Sequence, residues 1–433
     1  ALVNVYARCG YLSKAQEVFD ELRTRDTVSW NALIAGYAQH EKGEEALQHF
    51  SRMQNEGLSP NSVTFLIILK ACGSMGSVDM KCKEIHAKIL KQELFANDVC
   101  LGNALVDMYA RCGALTKAHR VFNELPIRDT VSWNALISGY AQHRHDEEAL
   151  TYFDRMKGEG YTPNAFTFVS ILKACGSIKA TEKGTEIYAV IMRAVPLMET
   201  NVLVGAALIN MYSKCDAIMK AQEICDQLAF RNVVPWNALI AGYVQNELGE
   251  EALKCFECMR YEGIHPNSVT FLSVTKACSI MGAAGKGIEV HKEIIREGLS
   301  EKGRLGNALV DMYAKCGLLP KAKEVFEKLN VRDVVAWTSL ISGYAQFGTA
   351  DIVVTLFDSM IREEVKPSLV TFTVVLNACS HGGLLDKGPY YFDIMSNEYG
   401  FVPTLEHHTC MIDLFGRAGH FDKALTLING MPI

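Results

Sequence analysis

The sequence predicts an all-α solenoid of helix-turn-helix repeats, and three observations carry that reading. Trp30, Trp133, Trp236 and Trp337 recur at steps of 103, 103 and 101 residues, inside TVSWNALIAGYAQ, TVSWNALISGYAQ, VVPWNALIAGYVQ and VVAWTSLISGYAQ. Pro60, Pro163, Pro266 and Pro367 keep the same step, as do Cys72, Cys175, Cys278 and Cys379. Apolar residues fall at helical spacing, and no strand-like alternation recurs. A globular enzyme places its special residues once. A chain that reprints whole motifs at a long period is an array whose units contact only their neighbours.

Three shorter units lie within each long period. The chain opens in a partial short unit, 1–26, because Ala1-Leu2 matches Ala104-Leu105. A unit holding the tryptophan follows at 27–61, a middle unit at 62–98 and a short unit at 99–129. The same order runs through 130–164, 165–201 and 202–232, then 233–267, 268–302 and 303–333, then 334–368 and 369–404. A partial short unit, 405–433, closes the chain. Each unit reads as two helices. Trp133, Leu136, Ile137 and Tyr140 fall at i, i+3, i+4 and i+7, one face of a first helix. Ala149, Leu150, Phe153 and Met156 make the second stripe, Gly160 supplies a helix stop and Pro163 a breaker. In the short unit the second helix is marked by Ala118, Val121, Phe122 and Leu125. One apolar face per hairpin cannot be buried alone, so stacking must bury it, and the uncapped ends are expected to fray.

Composition limits the function. With 49% hydrophobic and 21% charged residues and only 11 prolines in 433, the chain is that of an ordered protein. No apolar run approaches the roughly 18 residues of a membrane span, so no membrane partner is expected. A formal net charge of −6 is unlike a typical nucleic-acid binder, so the placement of positive charge matters more than its total. The 14 cysteines are phased: Cys9, Cys112, Cys215 and Cys316 share one register and Cys72, Cys175, Cys278 and Cys379 another. Phased cysteines inside helices act as small hydrophobes, which predicts buried thiols in a reducing compartment. Without an initiator Met and starting inside a repeat, the chain is expected to be a fragment.

Hairpins of 31 to 37 residues in an ordered 35–37–31 cycle resemble the pentatricopeptide repeat family, in its plant PLS subclass. The likeness covers essentially the whole chain, with tryptophan, middle and short units corresponding to P, L and S units. It is carried by VSWNALISGYAQ with EGYTPN, by FVSILKACGS, and by NALVDMYARCG with VFNELPIRD. It implies a right-handed superhelical α-solenoid. LVTFTVVLNACSHGGLLDKG and HHTCMIDLFGRAGHFDKALTLINGMPI are similar to the last L and S units of an organellar RNA-editing factor. In that family an E region and often a DYW deaminase domain follow; neither is in this sequence. A tetratricopeptide array is the nearest rival, but its W-x2-L-G-x2-Y signature is absent.

The resemblance implies one RNA base per unit, read by the fifth residue of the first helix and the last residue of the unit. In P units these are Asn31/Asn61, Asn134/Asn164, Asn237/Asn267 and Thr338/Ser368; in complete S units, Asn103/Asp129, Ala206/Asn232 and Asn307/Asp333. An Asn amide offers donor and acceptor to a pyrimidine edge. A last-position Asp only accepts and suits uracil N3–H; Asn can donate and suits cytosine N3. The competing assignments are helix capping for the fifth-position Asn and a turn role for the last residue. Leu66, Val169 and Leu272 hold the fifth position of L units and cannot hydrogen-bond. Val28, Val131, Val234 and Val335 hold the second position, where the family wedges bases, with core packing as the alternative. Arg8, Arg111, Lys214, Lys315 and Arg417 recur at the thirteenth position of successive S units, where a row of cations could follow phosphates or simply suit a helix C-terminus.

Other chemistry is set aside. Cys255-x2-Cys258 has Tyr152/Arg155 and His49/Arg52 as its equivalents and no second pair at metal spacing, and His407-His408 sits where a helix packs. There is no Walker loop, no G-x-G-x-x-G and no H-x-E followed by P-C-x-x-C. No metal, cofactor or catalytic residue is expected. The expected function is sequence-specific binding of single-stranded organellar RNA in the mitochondrion or chloroplast, as the targeting part of a C-to-U editing factor. Its implied protein partners are multiple organellar RNA editing factors or a separate deaminase. A protein–protein scaffold in an RNA-processing complex is the alternative.

Overall fold

The computed structural model describes residues 1–76, 80–91, 98–193, 202–228, 231–299 and 303–431, and among them contains 26 helices and no strand. The expected ends of two middle units, at 201 and 302, and the terminal Pro432-Ile433 lie outside the described residues. The chain divides into two compact units, Ala1–Phe230 and Arg231–Ile433. In each, successive helical hairpins stack in chain order, giving an all-α helical-repeat solenoid. No helix among the described residues is long and apolar enough to cross a membrane.

First helices of the tryptophan units run Thr27–Gln39, Thr130–Gln142, Val233–Gln245 and Val334–Gln346. Those of the middle units run Ser62–Ser74, Ala165–Ser177, Ser268–Met281 and Leu369–Gly382. Each starts because the residue before it caps it. Asp129 accepts from the backbone N–H of Ser132, and Asn164 from those of Phe166 and Thr167. A cap of this kind is worth about 1 kcal/mol. Second helices such as Asp146–Gly158 bury Ala149, Phe153 and Met156, with Leu150 half-buried. The chain leaves that helix through Gly160, whose φ of +83° is a left-handed stop that glycine adopts without strain.

Aromatic side chains join one hairpin to the next. Trp30 and Trp133 are fully buried, and each meets a phenylalanine of the preceding short unit edge-on, Phe19 at 4.5 Å and Phe122 at 4.7 Å between centroids. Phe326 and Trp337 repeat the contact at 4.6 Å. On the far side Phe153 meets Phe168 of the following middle unit at 6.3 Å. Gly139 lies so close to Ala110 that a Cβ there would land on the alanine methyl, so the two first helices can meet only with glycine at this crossing.

The thiols are free, and their burial follows register. Cys72, Cys175, Cys278 and Cys379 are fully buried, as the phasing predicts. The second set is only half-buried: Cys112 and Cys316 donate to the carbonyls of Cys72 and Cys278 in the preceding unit. Cys9 departs from the expectation and is exposed. The terminal helices also leave Leu2, Val5, Phe421 and Leu425 exposed.

Candidate nucleic-acid interface

Residues assigned to base reading meet in pairs. In the tryptophan units the fifth-position amide donates to the last-position amide: Asn31 Nδ2 to Asn61 Oδ1 at 3.3 Å, Asn134 to Asn164 at 3.0 Å and Asn237 to Asn267 at 3.2 Å. In the short units it donates to both carboxylate oxygens: Asn103 to Asp129 at 3.0 and 3.2 Å, and Asn307 to Asp333 at 2.9 Å each. The last-position oxygen also accepts the backbone N–H groups it caps, so the competing capping role belongs to that residue. Asn134 sits a full turn inside its helix and is no cap.

The hydrogen-bonding capacity left over differs between the two kinds of pair. Asn164 Oδ1 already accepts from Phe166 N, Thr167 N and Asn134 Nδ2, while its own Nδ2 donates to nothing among the described residues. That pair therefore turns N–H donors outward. Asp129 has no proton to give and turns out the remaining lone pairs of its carboxylate. Thr338 donates its proton to Val334 O at 2.7 Å and lies 2.8 Å from Thr371, so the fourth tryptophan unit presents hydroxyls instead of amides. Ala206 is 5% exposed and offers nothing polar; Asn232 caps the next helix through Val234 N.

Around Asn103, Asp129, Asn134 and Asn164 lies an open groove of about 650 Å³, walled by the second-position side chains Val131 and Phe166. Core packing is not what the second position does: Val28, Val131, Val234 and Val335 are 74, 58, 37 and 55% exposed. The middle units put Val63, Phe166, Val269 and Val370 in the same exposed register. Sequence reasoning missed these four, although counting two residues from each unit start would have found them.

The thirteenth-position row is only partly free. Arg111, Lys315 and Arg417 pair with Asp107, Asp311 and Asp413 one turn earlier, at 2.9–3.0 Å. Arg8 and Lys214 have asparagine there, Asn4 and Asn210, and form no salt bridge among the described residues. Lys315 lines a second groove of about 750 Å³ together with Gln245 and Lys276, within the second compact unit. The half-apolar floor of that groove includes Leu272 of a middle unit.

Comparison with known proteins agrees with the helical-repeat fold. A model of the PPR repeat family matches residues 25–74, 128–177, 231–279 and 332–381, and a PPR repeat model matches 1–26, 103–129, 307–334, 370–398 and 406–432. A mitochondrial pentatricopeptide repeat-containing protein of Arabidopsis thaliana is 35% identical over all of this chain, which covers 62% of that relative. A chloroplastic one is also 35% identical, with 53% of it covered, and a third, 37% identical, is covered over 72% of its length against 94% of this chain. The chain thus spans about half to two thirds of most such relatives, and some of their names carry the two organelles expected, mitochondrial or chloroplastic. Among solved structures, maize PPR10 shares the fold with a TM-score of 0.66 at 21% identity, covering 99% of this chain and 67% of that one. PPR10 in complex with an 18-nt psaJ RNA element gives 0.69 at 20% identity, covering 98% and 62%. By the family models and by the extent of these relatives, the chain belongs to the pentatricopeptide repeat family.

Proposed function

We propose that this chain binds single-stranded RNA sequence-specifically, one base per unit, as the targeting part of an organellar C-to-U editing factor of the PLS subclass. The observation that carries this reading is the groove in which paired fifth and last residues, with opposite unused hydrogen-bonding capacity, lie between exposed apolar second-position residues. Apolar walls there suit base faces, since stacking is worth about 1–3 kcal/mol per base and is tolerant of sequence. Outward donors at Asn164 suit cytosine N3, which accepts; the outward carboxylate of Asp129 suits uracil N3–H, which donates. The complex of maize PPR10 with an RNA element supports RNA as the ligand of such a solenoid.

With the RNA 5′ end at the N-terminal units, the eleven complete units read Y-n-U-Y-n-n-Y-n-U-n-n, where Y is a pyrimidine with C favoured and n is unassigned. Arg8 and Lys214 face phosphates; the three carboxylate-paired cations contribute less. Catalysis belongs to a separate region or partner, so this chain should convert no cytidine even with zinc and target RNA. Selection from random RNA is the test. Enrichment of pyrimidines opposite Asn134/Asn164 and Asn237/Asn267, and of uracil opposite Asn103/Asp129, is expected; purines opposite Asn134 and Asn237 would overturn the register.

A further inference from the structure

Third-position residues have no role in the reading above, yet in the middle units they touch it. Thr64, Thr167 and Thr270 are fully buried one turn into the helix that follows each Asn/Asn pair. The backbone N–H of Asn164 donates to Thr167 Oγ1 at 3.0 Å. That bond occupies a lone pair of the hydroxyl and leaves its single proton to go elsewhere. The proton goes to Asn134 Oδ1 at 2.5 Å, closer than the 3.2 Å to Asn164 Oδ1. Thr270 likewise reaches Asn237 Oδ1 at 2.6 Å against 3.2 Å to Asn267 Oδ1, and Thr64 stands 2.8 Å from Asn31 Oδ1 and 2.9 Å from Asn61 Oδ1, with the same backbone donors behind them.

A fixed polarity follows. The backbone forces the hydroxyl to donate, the hydroxyl forces Asn134 to present Oδ1 to it, and Asn134 must then turn Nδ2 to Asn164 Oδ1. The unused hydrogens of the pair are then N–H donors, while Asn134 Oδ1 and Asn164 Oδ1 are both engaged inside the protein. The short units carry no such device. Ser132, at the third position after Asn103/Asp129, sends its proton to its own N-cap carbonyl, Asp129 O, at 2.8 Å. Ala336 stands at that position after Asn307/Asp333. Correspondingly, the Oδ1 atoms of Asn103 and Asn307 are buried with no partner among the described residues.

We propose that Thr64, Thr167 and Thr270 are positioning residues that set the cytosine preference of the preceding unit by locking its fifth-position amide. This rests on the base-reading function proposed above and adds a residue of the next unit to each Asn/Asn pair. The short units obtain their polarity from carboxylate charge and have no use for the lock.

Binding of RNAs that differ only in C or U opposite Asn134/Asn164 tests it, with thermal melts to verify folding. Thr167→Val removes the proton at nearly constant volume and should lower the C-over-U ratio by about fivefold, the worth of one hydrogen bond. Thr167→Ser keeps the hydroxyl and should hold the ratio within about twofold. Ser132→Ala loses an equivalent helix-capping bond without touching Asn103. It should leave the U-over-C ratio opposite Asn103/Asp129 within about twofold, which separates amide locking from capping. A C preference that survives Thr167→Val overturns this proposal alone. A wild-type chain with no preference at that nucleotide overturns the base-reading function and this proposal with it.

Discussion

In the tryptophan unit that ends at Asn164, both polar atoms of Asn134 are matched within the protein, Oδ1 by Thr167 and Nδ2 by Asn164. In the short unit before it, Asn103 donates to a carboxylate and keeps a buried carbonyl with nothing to accept from. The two sites share a register, a groove and a capped helix, and differ in how the direction of each hydrogen bond is set. One is held by a relay of neutral groups that begins at a backbone N–H. The other is held by charge, which can only accept, and tolerates an imperfect partner beside it. Selectivity for opposite bases thus needs no change in backbone, only a change in what fixes the last proton.

The largest effect that could break this contrast comes from making the second site like the first. Asp129→Asn should move the preference at its nucleotide from U toward C by more than tenfold in relative affinity, since a good base contact discriminates by roughly 1–3 kcal/mol. Equal weakening of U and C ligands would reduce Asp129 to a cap. Stability offers the next test. Asn134→Ala strands the Thr167 hydroxyl and should cost about 1–3 kcal/mol in urea unfolding. Asn103→Ala also deletes an unsatisfied carbonyl and should cost less than half as much. Equal losses would mean that the Asn103 carbonyl is satisfied after all.

Two smaller effects sharpen the picture along the groove. Lys214→Ala should weaken all RNAs alike and lower the salt slope by at most about one unit. Arg111→Ala, whose guanidinium is already 3.0 Å from Asp107, should change it less; the reverse order would displace the phosphate path. Finally, Cys100 lines the groove beside Asn103, whereas Cys258 is exposed beside Tyr261 on the second helix Gly249–Tyr261 of a tryptophan unit. RNA should slow alkylation of Cys100 severalfold and leave Cys258 unchanged. Cys175, buried and with its thiol pushed up to about 12 by desolvation, should not react in either state. Protection of Cys258 in place of Cys100 would put the ligand on the other surface.

Much of this was legible in the residues. Tryptophan spacing and the WNALI stripe lead directly to hairpins, because side-chain periodicity is set by helix geometry and a long repeat admits no central core. The fifth and last positions were singled out through the family resemblance, and that Asn134 meets Asn164 at 3.0 Å took the structure to show. The Thr167 relay was not, because both threonine and serine sit at third positions and only three-dimensional placement says which carbonyl receives the proton. The pairing of Arg111 with Asp107 could have been read from their four-residue spacing, and it qualifies a cation row that composition left looking uniform. Exposure of the second-position valines could not be read, since a valine inside a helical stripe is equally at home in a core.

One double duty has a consequence for redesign. Asp26, Asn61, Asp129, Asn164, Asn232, Asn267, Asp333 and Ser368 each cap the next helix with a side-chain oxygen, and Asp129 and Asn164 do so while lining the groove. Any letter written at that place must therefore also be able to start a helix, which restricts the alphabet to short side chains carrying an acceptor. Under the proposed reading, changing Asn to Asp or Ser would alter specificity while leaving the fold's punctuation intact. A long or apolar letter would cost the following hairpin about 1 kcal/mol of capping, so the vocabulary of such an array is constrained by folding as well as by recognition.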